Sequence, residues 1–390
     1  MRIRLPIILL SLSIISSCCN HSTLKVAAPA DSDIINAVYE IKIDELGPFV
    51  VTNQQGVEVP SQLTYDGKLL LLANIEAGTT QKYRVKKGIP LEYQPLVAGL
   101  FYPQKLNDLA WENDKIGFRA YGTPNAEVGN KLYGYDIFTK RGKDPVLEDI
   151  YAPEIDPFNA AEMVRLRESG DMVAYEEFIR PLSYHLDHGK GMDYYPVGPT
   201  MGCGTAALVV GGQTIYQTYH SSHKILDNGP LRVTLQVGFD PIEIDGEMVT
   251  EERIITLDAG THFNRIDVRY HGLTKPTKLA VGIVLHDQAL HHQITDNSIA
   301  YVEPMHSVGW QIYNAVIFGD DMKGIVDLFT PEQREAHGGA YGHIQAEGIY
   351  IPDSTLTYYM GAGWNGWEVF TKEAWYKIVN ESETKIKHYE

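Results

Sequence analysis

Residues 252–270 read ERIITLDAGTHFNRIDVRY and contain two segments of strand length, Glu252–Leu257 and Asn264–Tyr270. Apolar residues alternate with polar ones along the second segment, the period expected when one face of a strand is buried and the other is not. Segments that alternate in this way or run apolar at strand length recur at Leu231–Phe239, Leu279–Leu285, Ile349–Ile351 and Leu356–Met360. Residues 96–390 are therefore predicted to form a large, mainly antiparallel β-sandwich with a few short helices.

The region before this sandwich contains short apolar segments separated by turn residues. Between residues 37 and 88 glycine, proline and asparagine interrupt the apolar segments, and Tyr65–Lys68 reads as a hairpin turn. We therefore predict a small N-terminal β-domain over 37–88. Helices are predicted at only three places, which are Asn159–Ser169, Thr371–Glu383 and a shorter helix that begins near Thr330.

The first residues have the character of a targeting segment. A basic start is followed by a short apolar run and small residues, so residues 1–17 are predicted to be a signal peptide. Cys18 follows an aliphatic–small–small triplet, as in a bacterial lipobox, which predicts lipid attachment at Cys18 and a tether over 18–36. The protein is then expected to be a secreted lipoprotein of the outer membrane, on the periplasmic or the cell-surface side. The alternative is an ordinary signal peptide with chance cysteines.

The charge of the chain limits its partners. The 390 residues include 33 Lys or Arg and 50 Asp or Glu, so the formal net charge is 33 − 50 = −17. Nucleic-acid binding is not expected, because phosphate recognition needs a concentrated basic surface. Screening over about 8 Å still allows a local group of cations to bind an acidic sugar. Contact with a membrane is expected only through the N-terminal lipid.

The segment 184–204, YHLDHGKGMDYYPVGPTMGCG, is the most unusual part of the sequence. It places titratable side chains between glycines and prolines, which is typical of a functional loop held by a rigid sheet. His185, Asp193 and Tyr194 are the candidate catalytic residues, because an imidazole can act as acid or base and a carboxylate can orient it. His188 and Lys190 are candidate substrate-binding residues of the same segment. A metal site or a purely structural loop are the alternatives.

Further candidates lie on predicted strands. Arg119 follows the alternating segment of WENDKIGFR (111–119), where its guanidinium could bind a sugar carboxylate or sulfate. The alternative is a salt bridge with Glu112 or Asp114. His286 and His343 lie at strand ends and are candidate substrate-binding residues, although a lone histidine more often has a structural role. The aromatic residues of YGYDIF (133–138) either stack on a sugar or belong to the core.

Motifs of other enzyme classes are missing from the sequence. There is no glycine-rich phosphate loop, no dinucleotide-binding fingerprint followed by a suitable helix and no G-x-S-x-G motif. Kinase, dehydrogenase and α/β-hydrolase activities are therefore not indicated, and we expect neither a cofactor nor a metal.

Five motifs occur in order along the chain and together resemble one secreted family of a domain of unknown function. They are WENDKIGFR, YGYDIF, the segment from Tyr184 to Asp193, ITLDAGTHFNRIDVRY and the closing GAGW with its following tryptophan. The resemblance covers nearly the whole mature chain. It implies a galactose-mutarotase-like supersandwich and a family that is encoded beside polysaccharide lyases and includes an ulvan-active oligosaccharide dehydratase. His185, Gly191, Met192 and Asp193 fall on the family's central motif.

The resemblance implies a hydro-lyase that removes water from the unsaturated uronyl residue of oligosaccharides released by ulvan lyase. Such a reaction needs a base for a carbon-bound proton, an acid for the departing hydroxyl and a cation for the carboxylate. We expect His185 to perform acid–base chemistry with Asp193 as its partner, and Tyr194 as the alternative proton donor. Arg119 and Lys190 are the expected cations. The alternatives are a polysaccharide lyase or sugar epimerase on the same scaffold, or a non-catalytic glycan-binding lipoprotein.

Overall fold

A computed structural model describes residues 22–43, 45 and 47–389. The predicted signal peptide and the lipid-attachment residue Cys18 lie outside these residues. The strands are β1 Ser22–Ala27, β2 Ile34–Lys42, β3 Phe49–Thr52, β4 Ser61–Leu63, β5 Lys68–Ile75, β6 Thr80–Lys87, β7 Ala98–Tyr102, β8 Asp108–Glu112, β9 Gly117–Ala120, β10 Asp136–Lys140, β11 Gly191–Asp193, β12 Cys203–Val210, β13 Gln213–Ile215, β14 His220–Asn228, β15 Arg232–Phe239, β16 Ile242–Ile244, β17 Glu247–Asp258, β18 Phe263–His271, β19 Thr277–Leu285, β20 His292–Ile294, β21 Ser298–Val302, β22 Ile312–Ile317, β23 Lys323–Leu328, β24 Gly342–Tyr350 and β25 Leu356–Trp364. The helices are α1 Pro124–Glu127, α2 Leu147–Ile155, α3 Pro157–Ser169, α4 Met172–Ile179, α5 Pro331–Ala336 and α6 Lys372–Tyr389. The predicted mainly β architecture with few short helices is confirmed.

The chain divides into two compact units. The first contains the described residues up to Leu96 together with Gly229–Arg232 and Asp258–Gly260. Its two three-stranded sheets have the orders β1-β6-β3 and β2-β5-β4. Strand β5 is buried on both faces, because Leu69 and Leu71 pack into one apolar cluster while the intervening Leu70 packs into another.

The structure differs from the sequence prediction at the start of this unit. The sequence predicts a tether over 18–36, whereas Ser22–Ala27 form strand β1 and pair with β6 along their whole length. Val26 is buried in the cluster that also contains Val51 and Tyr83. The segment is too short for its apolar pattern to predict a strand. Its pairing also cannot be read from neighbouring residues, because its partner strand lies more than fifty residues further along the chain.

The second unit contains the remaining residues and is a layered sandwich. A nine-stranded sheet follows the order β14-β15-β17-β18-β25-β22-β21-β20, with β16 paired to β17 at the side. Two five-stranded sheets, β11-β10-β9-β8-β7 and β13-β12-β19-β24-β23, pack on the inner face of the nine-stranded sheet. Trp111 of β8 donates to Asn264 of β18 at 2.7 Å, and Arg253 of β17 donates to the Ala206 carbonyl of β12 at 3.4 Å.

Helix α6 covers the outer face of the same sheet. Trp375 stacks on Phe263 and Tyr313, whereas Asn264, the next residue after Phe263, faces inward to Trp111. Successive side chains of a strand point to opposite faces, so this sheet is buried on both sides. The hairpin of β17 and β18 confirms the prediction for residues 252–270, with Leu257 paired to Asn264.

The three predicted helices are confirmed as α3, α5 and α6, and α5 begins with a capping box at Thr330. The sequence does not predict α1, α2 or α4, and two of these, α2 and α4, flank α3 in the connection between β10 and β11. Pro153 inside α2 lowers its helical signal. None of the helices in the described part of the chain is both long and apolar enough to cross a membrane.

Candidate active site

The candidate site lies on the β7–β11 sheet, where strand register brings four charged residues to one face. Asp136 of β10 pairs with Arg119 of β9, Arg119 pairs with Ala110 of β8, and Asp193 of β11 pairs with Phe138 of β10. Residues directly opposite each other, or two apart along a strand, share a face. Asp108, Arg119, Asp136 and Asp193 therefore point the same way. They are all buried, although they are charged.

The guanidinium of Arg119 is bound to the three carboxyl groups. Nη2 donates to Oδ2 of Asp193 at 2.6 Å and also to Asp136, while Nε donates to Oδ2 of Asp136 at 3.0 Å. Nη1 donates to Oδ2 of Asp108 at 3.4 Å. The hydroxyl of Tyr121 donates to the same Asp136 oxygen at 2.6 Å. The sequence offers a salt bridge of Arg119 with Glu112 or Asp114 as the alternative. In the structure the carboxyl groups that contact Arg119 are instead those of Asp108, Asp136 and Asp193.

Burial and mutual repulsion change the protonation of this cluster. Three buried carboxylates around one guanidinium would leave net negative charge in a medium of low dielectric constant, which favours the protonated acid. Burial raises the pKa of Asp193 to about 7, and Asp136 adds to this, against the opposing effects of Arg119 and His185. Burial also raises the pKa of Asp108 to about 6. The cluster can therefore exchange a proton near neutral pH, as a general acid must.

A cavity of about 730 Å³ opens onto this cluster. Asp108, Arg119 and Asp193 line it, and so do His185 and Lys105. Its volume lies in the range of pockets that enclose a small organic ligand. The cavity joins the polar cluster to side chains from the connections after β7, β9 and β11.

His185 reaches the cavity from the connection before β11. Its Nδ1 lies 2.9 Å from the backbone oxygen of Asp193 and 3.6 Å from Oδ2 of the same residue. Because a carbonyl oxygen only accepts, Nδ1 carries the hydrogen in the neutral ring, and Nε2 is the unprotonated nitrogen. The side chain of His185 is 60% exposed, so the ring is accessible to a ligand.

The loop before β11 is shaped by Asp187 and by two glycines. Oδ1 of Asp187 accepts from the backbone N–H groups of Gly189 and Gly191, and Oδ2 accepts from Arg141 at 2.9 Å. Gly191 has φ +110°, and a Cβ built there would lie 2.0 Å from the carbonyl oxygen of Thr139. Only glycine fits this conformation and this close approach. The arrangement sets the direction in which β11 carries Asp193.

Two adjacent tyrosines line the cavity, and their hydroxyl groups are buried. The Oη atoms of Tyr194 and Tyr195 are buried and have no hydrogen-bond partner among the described residues. Burial raises the pKa of both phenols well above the ordinary value. Each hydroxyl is therefore neutral and keeps its hydrogen. A buried hydroxyl without a partner lowers the stability of the folded protein.

Four predicted substrate-binding residues do not line the cavity. Lys190 pairs with Asp149 on the surface at 2.5 Å, and His188 contacts the Ser183 carbonyl at 3.1 Å. The other two residues contact protein groups. His286 lies between Glu303 at 2.7 Å and the Pro196 carbonyl at 2.9 Å. His343 accepts a hydrogen bond from the backbone N–H of Met201 at 3.2 Å. These four positions therefore differ from what the sequence predicts.

The burial of the two strand-end histidines has different consequences. Burial lowers the pKa of His343 to about 3, so this ring is neutral and serves as an acceptor in the core. Burial opposes the charged form of His286 as well, but Glu303 outweighs it and raises the pKa. His286 thereby supports the wall of the cavity from behind, through the carbonyl of Pro196, which itself lines the cavity.

Sequence reasoning missed Asp108 and Lys105, which belong to the site. Asp108 begins β8, and its Oδ2 also accepts from the hydroxyl of Tyr151 in α2 at 3.3 Å. The sequence does not identify Asp136 as a site residue either. Its neighbour Tyr135, an aromatic residue of the YGYDIF motif, belongs to the core, where its hydroxyl accepts from Arg253 at 3.0 Å. The spacing of two residues between Asp108 and Ala110 indicates that both point to the same face of a strand. It places Asp108 beside Arg119 only once the pairing of Ala110 with Arg119 is known.

The carboxyl groups of the site are directed at a cation of the protein itself. The oxygens of Asp108, Asp136 and Asp193 converge on Arg119. Within residues 22–43, 45 and 47–389, no group of three or more His, Cys, Asp or Glu side chains is placed so that it could hold a metal ion.

Comparisons with known proteins place the chain in a family. Two solved structures from Enterococcus faecalis cover 88% of this chain at 7% identity: a glycosyl hydrolase family 38 protein with a TM-score of 0.46, and an alpha-mannosidase of strain V583 with a TM-score of 0.42. The chain spans only 44% and 43% of those two chains. Uncharacterized protein P7 of Formosa agariphila is 21% identical over 360 residues, which cover 89% of this chain and 82% of that protein. Residues 31–389 match the model of the domain of unknown function DUF4861, and the chain belongs to this family.

Proposed function

We propose that the protein is a carbohydrate-acting hydro-lyase that removes water from the unsaturated uronyl residue of oligosaccharides released by ulvan lyase. One observation carries the proposal: a single cavity contains a buried carboxyl group whose pKa is raised to about 7, Asp193, beside the exposed imidazole of His185. Dehydration needs this combination of acid and base. The resemblance of the motifs from Trp111 to Trp367 supports the choice of substrate.

In the proposed reaction His185 is the base. Its Nε2 takes a proton from carbon, and the electron pair of the C–H bond becomes part of a new carbon–carbon double bond. The contact of Nδ1 with the Asp193 carbonyl holds the ring in the tautomer that this step requires. Without that contact the ring would be free to expose either nitrogen.

Asp193 is the acid of the same reaction. It delivers its proton to the departing hydroxyl as the C–O bond breaks, so that water leaves and the carboxylate remains. Arg119, 2.6 Å from Oδ2, stabilises the negative charge that then develops on Asp193. Transfer of the proton from Nε2 of His185 to Asp193 through solvent restores the starting state, with the hydrogen of the neutral ring again on Nδ1. Tyr194 remains the alternative donor, but its raised pKa makes it the weaker acid.

The test uses unsaturated oligosaccharides that ulvan lyase produces. Mass spectrometry and ultraviolet absorbance are followed during incubation with the protein. Loss of one water per oligosaccharide supports the hydro-lyase. New chain cleavage would identify a polysaccharide lyase, and an isomer of unchanged mass a sugar epimerase. Unchanged oligosaccharide that is retained on a glycan column would identify a binding protein instead.

A matched pair of variants tests the role of the base. His185→Ala should lower turnover by about 10² to 10⁴ without changing the melting temperature, because the side chain is exposed. His188→Ala is the control, since His188 belongs to the same loop and does not line the cavity. Full activity of the His185 variant would remove this residue from the mechanism.

A further inference from the structure

An anionic substrate needs a cation in the cavity, and the two cations expected from the sequence are otherwise engaged. The guanidinium of Arg119 is surrounded by Asp108, Asp136 and Asp193. A sugar carboxylate could bind Arg119 only by displacing one of these groups. Lys190 pairs with Asp149 and does not line the cavity. The anion-binding group must therefore be sought among the other residues that line the cavity.

Lys105 is such a group. It ends a single turn of 3₁₀ helix, Pro103–Lys105, directly after β7, and it lines the cavity. Its Nζ lies 2.6 Å from Oε2 of Glu154 and 4.8 Å from the centre of the Tyr184 ring. An ammonium group carries three hydrogens, of which Glu154 takes one and the side chain of Tyr184 takes another. The third remains for a ligand.

The surroundings of Lys105 hold its charge and its position. Burial opposes the charged form, but Tyr184 and Glu154 outweigh burial and raise the pKa of Lys105, so it stays cationic throughout the neutral range. Glu154 is itself held, because Oε1 accepts from the backbone N–H of Tyr184 at 3.2 Å. The lysine side chain is 23% exposed, so it is largely ordered but still accessible.

We propose that Lys105 binds the anionic group of the sugar substrate, a carboxylate or a sulfate, within the cavity. This inference rests on the proposed function and names the residue that recognises the substrate's charge. An ammonium group is a compact point charge that suits either anion, whereas a guanidinium would favour planar bidentate pairing. Asp193 lines the same cavity, and its protonated form avoids repulsion of the bound anion. Tyr184, beneath the ammonium group, provides an aromatic face next to the anion.

The experiment compares Lys105→Gln with Lys190→Gln, which removes a lysine of similar pairing outside the cavity. Binding of unsaturated ulvan oligosaccharide is measured by calorimetry at neutral pH, together with KM and kcat. We expect Lys105→Gln to weaken binding by about tenfold or more, as for loss of a charge-assisted hydrogen bond. Lys190→Gln should bind like the unchanged protein, and Lys105→Arg should keep part of the affinity. Melting temperatures show that each variant is folded.

Two modified substrates identify the anion. Methyl esterification removes the carboxylate charge, and desulfation removes the sulfate. If Lys105 contacts one of these anions, then removal of that anion should abolish the difference in affinity between the unchanged protein and Lys105→Gln. The modified substrate that both proteins bind with equal affinity therefore identifies the anion. If Lys105→Gln weakens the native and both modified substrates to the same extent, or binds the native substrate with full affinity, the inference is wrong.

Binding and loss of water are measured separately, so the anion site and the dehydratase activity can each be refuted without the other. Binding that depends on Lys105 without loss of water would support the anion site and overturn the dehydratase. Loss of water that proceeds with an unchanged KM in Lys105→Gln would support the dehydratase and overturn the anion site.

Discussion

Replacing Asp193 with asparagine should change both the activity and the pH dependence of stability. The pKa of Asp193 rises from an ordinary value of 3.8 to about 7 in the folded protein, which corresponds to about 4 kcal/mol. The folded state then binds more protons than the unfolded state between these two pH values. Stability therefore falls as the pH rises from about 4 to 7, and the full cost is present above pH 7.

An asparagine side chain cannot ionise, so Asp193→Asn should remove this decline. Arg119 loses one partner but keeps the two contacts with Asp136 and the contact with Asp108, so it remains neutralised. Chemical denaturation at a series of pH values between about 4 and 9 measures the effect. The variant should lose less stability than the unchanged protein across this range, by up to about 4 kcal/mol. Its turnover should fall by about 10² to 10⁴.

Asp187→Asn is the control for this measurement. Burial opposes ionisation of Asp187, but Arg141 and the N–H groups of Gly189 and Gly191 outweigh burial and lower its pKa. Its contribution is present above the ordinary pKa of 3.8 and lost as the pH falls, the opposite of Asp193. Equal pH profiles for Asp193→Asn and the unchanged protein would refute the charge argument for the aspartate cluster.

Three further predictions concern single residues of the second unit. Gly191→Ala should destabilise the protein by about 3 kcal/mol or more, because its Cβ would meet the Thr139 carbonyl; denaturant unfolding measures this, and an unchanged midpoint would contradict it. Tyr195→Phe should leave stability equal or higher by about 1 kcal/mol, because the buried Oη has no hydrogen-bond partner among the described residues; denaturant unfolding measures this, and a clear loss of stability would contradict it. His343→Gln should make stability less sensitive to acid between about pH 6.5 and 3, because the neutral buried ring resists protonation; an acid titration of unfolding that matches the unchanged protein would contradict this.

The site could be predicted only in part, and the residues show why. His185, Asp193 and Tyr194 lie in a short polar segment rich in glycine, and such a segment is recognisable without knowledge of its surroundings. The structure brings these three residues to one cavity. Lys190 belongs to the same segment, between two glycines of positive φ, but its ammonium group donates to Asp149 outside the cavity.

Local patterns along the chain are enough to establish the mainly β fold class, the hairpin at residues 252–270 and the helices α3, α5 and α6. Periods of two residues, caps and turn residues can be identified from neighbouring letters of the sequence. Which charges meet depends instead on how the strands assemble. Arg119 and Asp193 are separated by 74 positions, and they share a face because of the strand order and register of β8 to β11. Register depends on how whole strands pack, and a shift by one residue would turn each of these side chains to the opposite face of the sheet.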